Sequence, residues 1–187
     1  GVQADGYFYA GKTIDSLAPI AGVLAKLPSV RRVVVVPYVS ERPALDGLRV
    51  LDLAWSVAGP YVGRSLADYG ATVVKVESSH KQDAARGYRP VHDNIAGLEN
   101  SALFDTMAAG KRSLALNMTQ PGALDVVREL VAWADVVVES YSPRAMPKWG
   151  LDYENLKAIK PDVIMVSTCL AGQTGPLAHF AGYGNLG

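Results

Sequence analysis

The sequence predicts an α/β fold built on a Rossmann-like open parallel sheet with flanking helices. Residues 49–54, RVLDLA, form an apolar run of the length of a buried strand, and residues 72–77, TVVKVE, form a second β-rich run. A periodic helical segment separates these two runs, and the alternation of strand and helix recurs as far as Thr168. Such alternation indicates βαβ units, which have parallel strands and right-handed crossovers.

The first βαβ unit also indicates where function should lie. Gly59 and Pro60 are expected to break the chain after the first strand, before a helix predicted over 61–69 with Gly70 as its C-terminal cap. In open parallel sheets, ligands bind beyond the carboxyl ends of the strands. Here those ends are predicted at 55–60 and 77–80, so candidate site residues are sought there.

The first 44 residues carry a separate set of predicted elements. Asp5-Gly6 is expected either to turn a hairpin or to begin a strand. Residues 14–27 are predicted as a helix from their apolar face, and residues 30–38 as a buried strand. Residues 41–44 are predicted to be a linker.

This segment contains a formal phosphate-loop match, Gly6-x-x-x-x-Gly11-Lys12-Thr13. In such loops, backbone N–H groups between a strand and a helix cradle the phosphates, and the lysine reaches the terminal ones. The intervening Tyr-Phe-Tyr-Ala residues are bulky and β-prone, and no apolar strand precedes them. The sequence therefore favours a hairpin that ends in an exposed lysine.

A long irregular segment and a further series of elements follow the central unit. Residues 78–100 lack periodicity, and a loop of this length is usually functional or mobile. Its His80 and His92 lack a third ligand at a suitable spacing, which favours surface residues over a metal site. The later predictions are a short helix at 101–107, a strand at 114–117, a helix capped by Thr119 with Pro121 in its first turn, a strand at 135–139, two helical pieces within 143–160, a strand at 162–168 and an irregular segment at 172–187.

Composition excludes several classes of function. Lys plus Arg and Asp plus Glu both number 18 in 187 residues, which gives no electrostatic basis for binding nucleic acid or an anionic membrane. The one cysteine, Cys169, lies in a strand-like run and is expected to be a buried, inert thiol. No run approaches the roughly 18 apolar residues of a membrane span. A cytoplasmic setting is expected.

Residues 1–40 contain the stretches ADGYFYAGKTIDSL and LPSVRRVVVVPYV. These stretches resemble part of the amino-terminal domain of acetoacetyl-CoA synthetases, which are AMP-forming acyl-CoA ligases. This stretch lacks the phosphate loop and the adenylate-binding motifs of that family, so ligase chemistry is not expected to carry over. A fragment of such a synthetase stays open as an alternative identity.

From Leu45 onward a series of motifs covers about three quarters of the chain: LDGLRVLDLA, AGP, LADYGATVVKVE, Asp83 with Arg86, GKRSLALN, ADVVVESYSP, WGLDYENLKAIKPDVIMVS and AGQTGP. In their content and order these motifs resemble the class III CoA-transferases, the CaiB/BaiF family. The resemblance implies a Rossmann-like large domain, an interlocked homodimer, and transfer of coenzyme A between carboxylic acids through an aspartyl-CoA thioester. A CoA thioester and a carboxylic acid would be the substrates. No metal or cofactor is expected, because a carboxylate nucleophile suffices.

The resemblance also implies CoA contacts at ten positions: Val57, Ala58, Ser78, Leu116, Asn117, Met118, Ser140, Tyr141, Ser142 and Lys148. Lys148 stands where members often have arginine, which keeps the charge but loses the forked geometry for phosphate. Ser140 and Ala108 replace common asparagines. Alternatives that involve no ligand stay open. They are ordinary connector positions for Val57 and Ala58, core packing for Tyr141, and a solvated charge for Lys148. For Asp83 and Arg86 the alternative is a surface ion pair of little energetic value.

The resemblance places the nucleophilic aspartate of the family beyond Gly187. Gly184 stands where the related α-methylacyl-CoA racemases carry an aspartate for proton transfer, which argues against racemase chemistry. The expected organisation is a synthetase-like βαβ fragment at 1–40, a linker at 41–44, and the amino-terminal part of a truncated transferase large domain at 45–187. Both ends are expected to be cut. The origin of the junction between the two pieces stays open, with natural fusion and a gene-fragment artefact as the alternatives. The isolated chain is expected to contact CoA without turnover, and a non-catalytic CoA-binding domain is the alternative.

Overall fold

The computed structural model describes residues 45–180 continuously, together with Gly182 and four short strands near the amino terminus. The chain divides into two units, residues 1–47 and 48–187. No helix in these described residues has the length and apolar character needed to cross a membrane.

The first unit contains two separate strand pairs. Strands β1 (Val2–Ala4) and β4 (Val34–Val36) pair in parallel, and β2 (Gly6–Tyr9) and β3 (Lys12–Asp15) pair antiparallel. Lys12 and Thr13 thus lie in a paired strand instead of at the start of a helix, which confirms the hairpin interpretation.

Two other predictions for this unit have different outcomes. The helix predicted over 14–27 is wrong at its start, because Ile14 and Asp15 belong to β3. The rest of that helix and the linker at 41–44 lie outside the described residues.

The second unit is a five-stranded sheet with flanking helices. Its elements are β5 (Arg49–Asp52), α1 (Ala58–Asp68), β6 (Thr72–Glu77), α2 (Ala102–Ala108), β7 (Arg112–Ala115), α3 (Ala123–Trp133), β8 (Val136–Glu139), α4 (Ala145–Lys148), α5 (Tyr153–Ile159) and β9 (Ile164–Ser167). Two 3₁₀ turns, Ala84–Gly87 and His92–Asn94, lie in the segment predicted to be irregular.

The strand order β7-β6-β5-β8-β9 places the first strand of this unit in the middle of the sheet. All neighbouring strands are parallel, and Val50 of β5 lies opposite Val73 of β6 on one side and Val136 of β8 on the other. The chain therefore builds one half of the sheet outward from β5 before it crosses over to β8. This arrangement confirms the predicted α/β parallel fold, and it creates a topological switch point between β5 and β8.

The core lies between the sheet and the helices that cover it. Every residue of β8 is buried, as expected of a parallel strand covered on both faces. In α3, Val127 and Val131 are fully buried and four residues apart, so they lie on one face of the helix. Leu151 and Leu156, before and within α5, join the same cluster. These contacts fix α3 and α5 against the sheet.

Two helix starts differ from the prediction. Gly59 and Pro60 do not break the chain but lie within the first turn of α1. Proline is tolerated there because the N–H it lacks would have no intrahelical partner. Helix α3 begins at Ala123 after Gly122, so Thr119 is not its cap. The backbone N–H and hydroxyl of Thr119 instead bond the Asn117 side-chain oxygen, at 3.1 and 2.8 Å, in a local turn.

Candidate functional site

An open cleft of about 720 Å³ lies at the switch point between β5 and β8. We call it the switch-point cleft; its lining residues are Trp55, Ser56, Val57, Ala58, Gly59, Ser140, Thr168, Cys169, Leu170 and Gly182. They come from the segments that follow three neighbouring strands. The backbone N–H of Trp55 donates to Ser140 Oγ at 2.7 Å and so joins the loop after β5 to the loop after β8.

The amino terminus of α1 forms part of the switch-point cleft. Val57 is the N-cap residue, no side chain caps the helix, and the first turn contains no acidic residue. A Cβ at Gly59 would overlap the Ala54 side chain and come 2.9 Å from Thr168 Oγ1, so glycine lets the helix start close to the strand ends. A helix start without a side-chain cap favours an anionic group in the cleft.

A buried ion pair lies directly beneath α1. Lys111 Nζ is 2.6 Å from Asp52 Oδ2, and both side chains are at most 1 % exposed. Lys111 also donates to the Pro60 carbonyl at 2.6 Å, and Asp52 accepts from the Ala54 N–H at 2.9 Å. Burial lowers the pKa of Lys111, and the attraction of Asp52 opposes that change. The pair ties the start of α1 and the segment before β7 to the end of β5.

A second buried pair lies beside the loop after β5. Lys75 Nζ is 2.8 Å from Asp83 Oδ2, and the pair contacts the backbone of that loop on both sides of Trp55. Arg86 does not pair with Asp83; its Nε is 2.6 Å from Glu77 Oε1. The interpretation of Asp83 and Arg86 as a surface pair is therefore wrong, because each is engaged in a separate and largely buried pair.

Three aromatic rings pack beneath the joined loops. Tyr141 lies between Trp55 and Trp149, with ring centroids 5.9 and 5.0 Å away. Burial raises the pKa of Tyr141. The Tyr141 N–H donates to the fully buried Glu139 carboxylate at 2.7 Å, and Gln173 donates to the other oxygen of that carboxylate at 3.2 Å. This packing fixes the backbone turn that follows β8.

The structure brings some of the ten predicted CoA-contact residues together and separates others. Val57, Ala58 and Ser140 line the switch-point cleft. Ser78 lines a second hollow of about 260 Å³ at the ends of β6 and β7, and Ser142 a third of about 330 Å³. Tyr141 belongs to the aromatic cluster. The remaining predicted contacts lie outside these three hollows: Leu116, Asn117 and Met118, which follow β7, and Lys148, which is exposed at the end of α4.

Sequence reasoning missed part of the switch-point cleft and the charges behind it. Thr168 and Leu170 line the cleft, whereas the sequence predicted only a strand over 162–168 and no role for either residue. Cys169 is half-buried at the cleft, not buried, because β9 ends at Ser167. The sequence did contain a signal for the buried ion pairs of Asp52 and Lys75. Each is a charged residue within an otherwise apolar strand run, and such a residue requires a buried partner.

The described residues contain no group of three or more His, Cys, Asp or Glu side chains placed to hold a metal ion. His80 and His92 are both exposed, and His92 Nδ1 is 3.3 Å from the Asp93 carboxylate on the surface. Gly184, discussed for racemase chemistry, lies outside the described residues.

Comparison with known proteins decides the family. The family model described as CoA-transferase family III matches residues 45–187. The chain belongs to CoA-transferase family III. It is 42 % identical over 146 residues to the succinate–glutarate CoA-transferase of Agrobacterium fabrum, and the aligned region covers 77 % of this chain and 36 % of that protein. It is 40 % identical over 139 residues to the succinyl-CoA:glutarate CoA-transferase of Mus musculus, covering 74 % and 31 %.

Solved structures of the family share the fold. A CaiB/BaiF family protein from Brucella suis matches with a TM-score of 0.68 and 42 % identity, over 76 % of this chain and 38 % of that one. A hypothetical protein from Mycobacterium tuberculosis matches with a TM-score of 0.64 and 34 % identity, over 74 % and 37 %. The chain spans about a third of the length of the curated relatives it matches.

Proposed function

We propose that this chain carries the coenzyme A-facing edge of an enzyme that transfers CoA between carboxylic acids. The observation that carries the proposal is the switch-point cleft with the uncapped start of α1 in its wall, in a member of CoA-transferase family III. A CoA thioester and a carboxylic acid are the proposed substrates. The relatives named above are described as transferases for succinate and glutarate, and this supports dicarboxylic acids as the substrate class.

The proposed CoA site extends along the carboxyl edge of the sheet. Val57, Ala58 and Ser140 would contact the ligand in the switch-point cleft, where the start of α1 favours negative charge. The other contacts would lie to either side, at Ser78, Leu116, Asn117, Met118, Tyr141 and Ser142. Lys148 would supply a cation for a phosphate of CoA, as a point charge without the fork of an arginine.

The proposed chemistry uses a carboxylate nucleophile. Its oxygen attacks the thioester carbonyl and expels the CoA thiolate, which leaves a mixed anhydride. The thiolate then attacks the nucleophile's own carbonyl, so the first carboxylate departs and CoA stays on the enzyme as a thioester. The acceptor acid reverses these two steps. The protein needs no redox change, because every bond that breaks is replaced by an equivalent acyl bond.

The buried carboxylates of the described part are all engaged elsewhere. Asp52, Asp83 and Glu77 each form an ion pair at 2.8 Å or less, and Glu139 accepts two hydrogen bonds. A nucleophile must be free to reach the thioester, so none of these four is proposed for that role. We place the nucleophilic aspartate beyond Gly187, and the 187-residue chain alone is proposed to bind CoA without turnover.

The remaining organisation is proposed on the resemblance alone. Residues 1–40 form a synthetase-like fragment, 41–44 a linker, and 45–187 the amino-terminal part of the transferase large domain. The full-length enzyme is proposed to be a cytoplasmic homodimer that needs neither metal nor cofactor.

The proposal is tested by calorimetry of CoA binding to the 187-residue chain, with circular dichroism as the check of folding. We expect binding that weakens about two- to fivefold in Lys148→Ala, as for loss of one exposed charge contact. Lys157→Ala, an exposed lysine of α5, is the matched control and should bind as the wild type does. A folded chain that does not bind CoA would refute the proposal. Exchange of labelled succinate into succinyl-CoA by this chain would refute the absence of turnover.

A further inference from the structure

We infer that Asp83 is a positioning residue for the proposed CoA site. Its carboxylate holds the loop after β5 in the conformation that forms one wall of the switch-point cleft. The inference rests on the proposed function for the identity of the ligand, but its structural part can be measured without any ligand.

The loop after β5 contains a backbone conformation that it would not favour alone. Ser56 has φ of 65°, in the left-handed region that side chains other than glycine rarely adopt. Val57, the N-cap of α1, follows directly. A change of φ at Ser56 would therefore redirect the start of α1, which is the part of the cleft that favours an anion.

Asp83 contacts this strained residue directly. Its Oδ1 accepts from the Ser56 N–H at 2.9 Å and from the Ala85 N–H at 2.9 Å. The other oxygen, Oδ2, bonds Lys75 Nζ at 2.8 Å, and Lys75 also donates to the Ala54 carbonyl at 2.9 Å. Both peptide groups that flank Trp55 are thus held by one ion pair.

Because the Lys75–Asp83 pair is buried, it holds the loop after β5 rigidly. The Lys75 and Asp83 side chains are 6 % and 2 % exposed, so water does not compete for these bonds. The N–H of Trp55 is held independently by Ser140 Oγ from the opposite wall. Three successive backbone groups of the loop are therefore fixed by side chains that come from other elements. A strained conformation persists only where its surroundings determine it in this way.

The test must separate the bond to Ser56 from the loss of a buried charge. We compare Lys75→Met/Asp83→Asn with Lys75→Met/Asp83→Ala. Both double variants remove the buried cation and the buried anion, and both leave the Ala54 carbonyl without its lysine partner. Asparagine keeps an oxygen that can accept from the Ser56 and Ala85 N–H groups, whereas alanine removes the acceptor of both. Circular dichroism and urea unfolding establish that the two variants are folded before binding is measured.

Two readouts are expected to divide the variants. The Kd for CoA should be about tenfold higher in the alanine variant than in the asparagine variant, because alanine leaves the Ser56 and Ala85 N–H groups without their acceptor. Without CoA, the Ser56 amide proton should exchange with solvent at least about tenfold faster in the alanine variant. Adding Ser56→Gly to the alanine variant should recover affinity, because glycine adopts positive φ without strain.

The outcomes separate the inference from the proposed function. Equal Kd values in the two folded variants would overturn the inference. If the wild type does not bind CoA, the proposed function fails. The exchange rate of the Ser56 amide proton then decides whether Asp83 holds the loop. Equal exchange rates in the alanine and asparagine variants would overturn the structural part of the inference. If the alanine variant does not fold, the asparagine variant is compared with the wild type. A Kd within about twofold supports the inference, and a tenfold loss overturns it, because the Ser56 contact is retained.

Discussion

Replacing Lys111 by methionine is the sharpest test of how the site is supported. The substitution removes the cation that lies 2.6 Å from Asp52 Oδ2, and Asp52 is then left fully buried with the Ala54 N–H as its remaining donor. Breaking a buried pair by removing one partner costs about 3–5 kcal/mol, because the other charge stays uncompensated. We expect a loss of this size in the free energy of unfolding.

The chain offers a control of nearly equal geometry and opposite burial. Arg128 Nη1 lies 2.7 Å from Asp125 Oδ1, but the two side chains are 43 % and 75 % exposed. Exposed pairs contribute about 0–1 kcal/mol, so Arg128→Met should change the free energy of unfolding by less than about 1 kcal/mol.

Urea unfolding followed by circular dichroism measures both variants under the same conditions. A third variant, Asp52→Asn/Lys111→Met, removes both charges and should recover a large part of the loss, since an amide oxygen can still accept from the Ala54 N–H. If Lys111→Met costs no more than Arg128→Met, then burial does not govern the strength of this pair and the reasoning is refuted.

Two further predictions concern packing and pH. Gly63→Ala should cost about 1–3 kcal/mol, because its Cβ would lie 2.7 Å from Asp52 Oδ2 and 3.1 Å from Lys111 Nζ. Urea unfolding measures this cost, and a similar loss in Gly87→Ala, where nothing lies within 4 Å, would contradict it. Hydrogen bonds from Arg49, against the opposing effect of burial, hold the pKa of Asp135 well below its usual range. The stability this provides is present above about pH 4 and is lost as the pH falls through the lower folded-state pKa. Unfolding measured against pH should therefore show the advantage of the wild type over Asp135→Asn shrinking below about pH 4; an advantage unchanged at pH 2 would be inconsistent with the lowered pKa.

Local patterns were sufficient to predict the elements that carry the site. The apolar run before Trp55 and the helical spacing after Gly59 predicted β5 and α1, and the general rule for parallel sheets then directed attention to residues 55–60. Val57 and Ala58, which the family resemblance added as CoA contacts, lie in that range and line the switch-point cleft. The strand and helix are predictable because their signals are contained within a few consecutive residues.

The composition of the cleft could not be predicted in the same way. Thr168 and Leu170 contribute only because β8 lies beside β5 and β9 lies beside β8, and the order of strands depends on crossovers between distant segments. The pairing of Lys75 with Asp83 likewise required the 3₁₀ turn after β6 to fold back onto the sheet. Periodicity within a segment contains no information about which distant segment becomes its neighbour.

The central position of β5 has a consequence for the order of events during synthesis. The hydrogen bond from Trp55 to Ser140 joins residues 85 positions apart. At roughly 5–20 residues per second, a ribosome needs roughly 4–17 s to add that interval. Once β6 has been synthesised it can pair with one side of β5, but the other side of β5 stays open as a nascent edge until β8 is made. The arrival of β8 closes this edge and brings Ser140 to Trp55, so protection against mispairing and the formation of the cleft wall that contains Ser140 come in the same step.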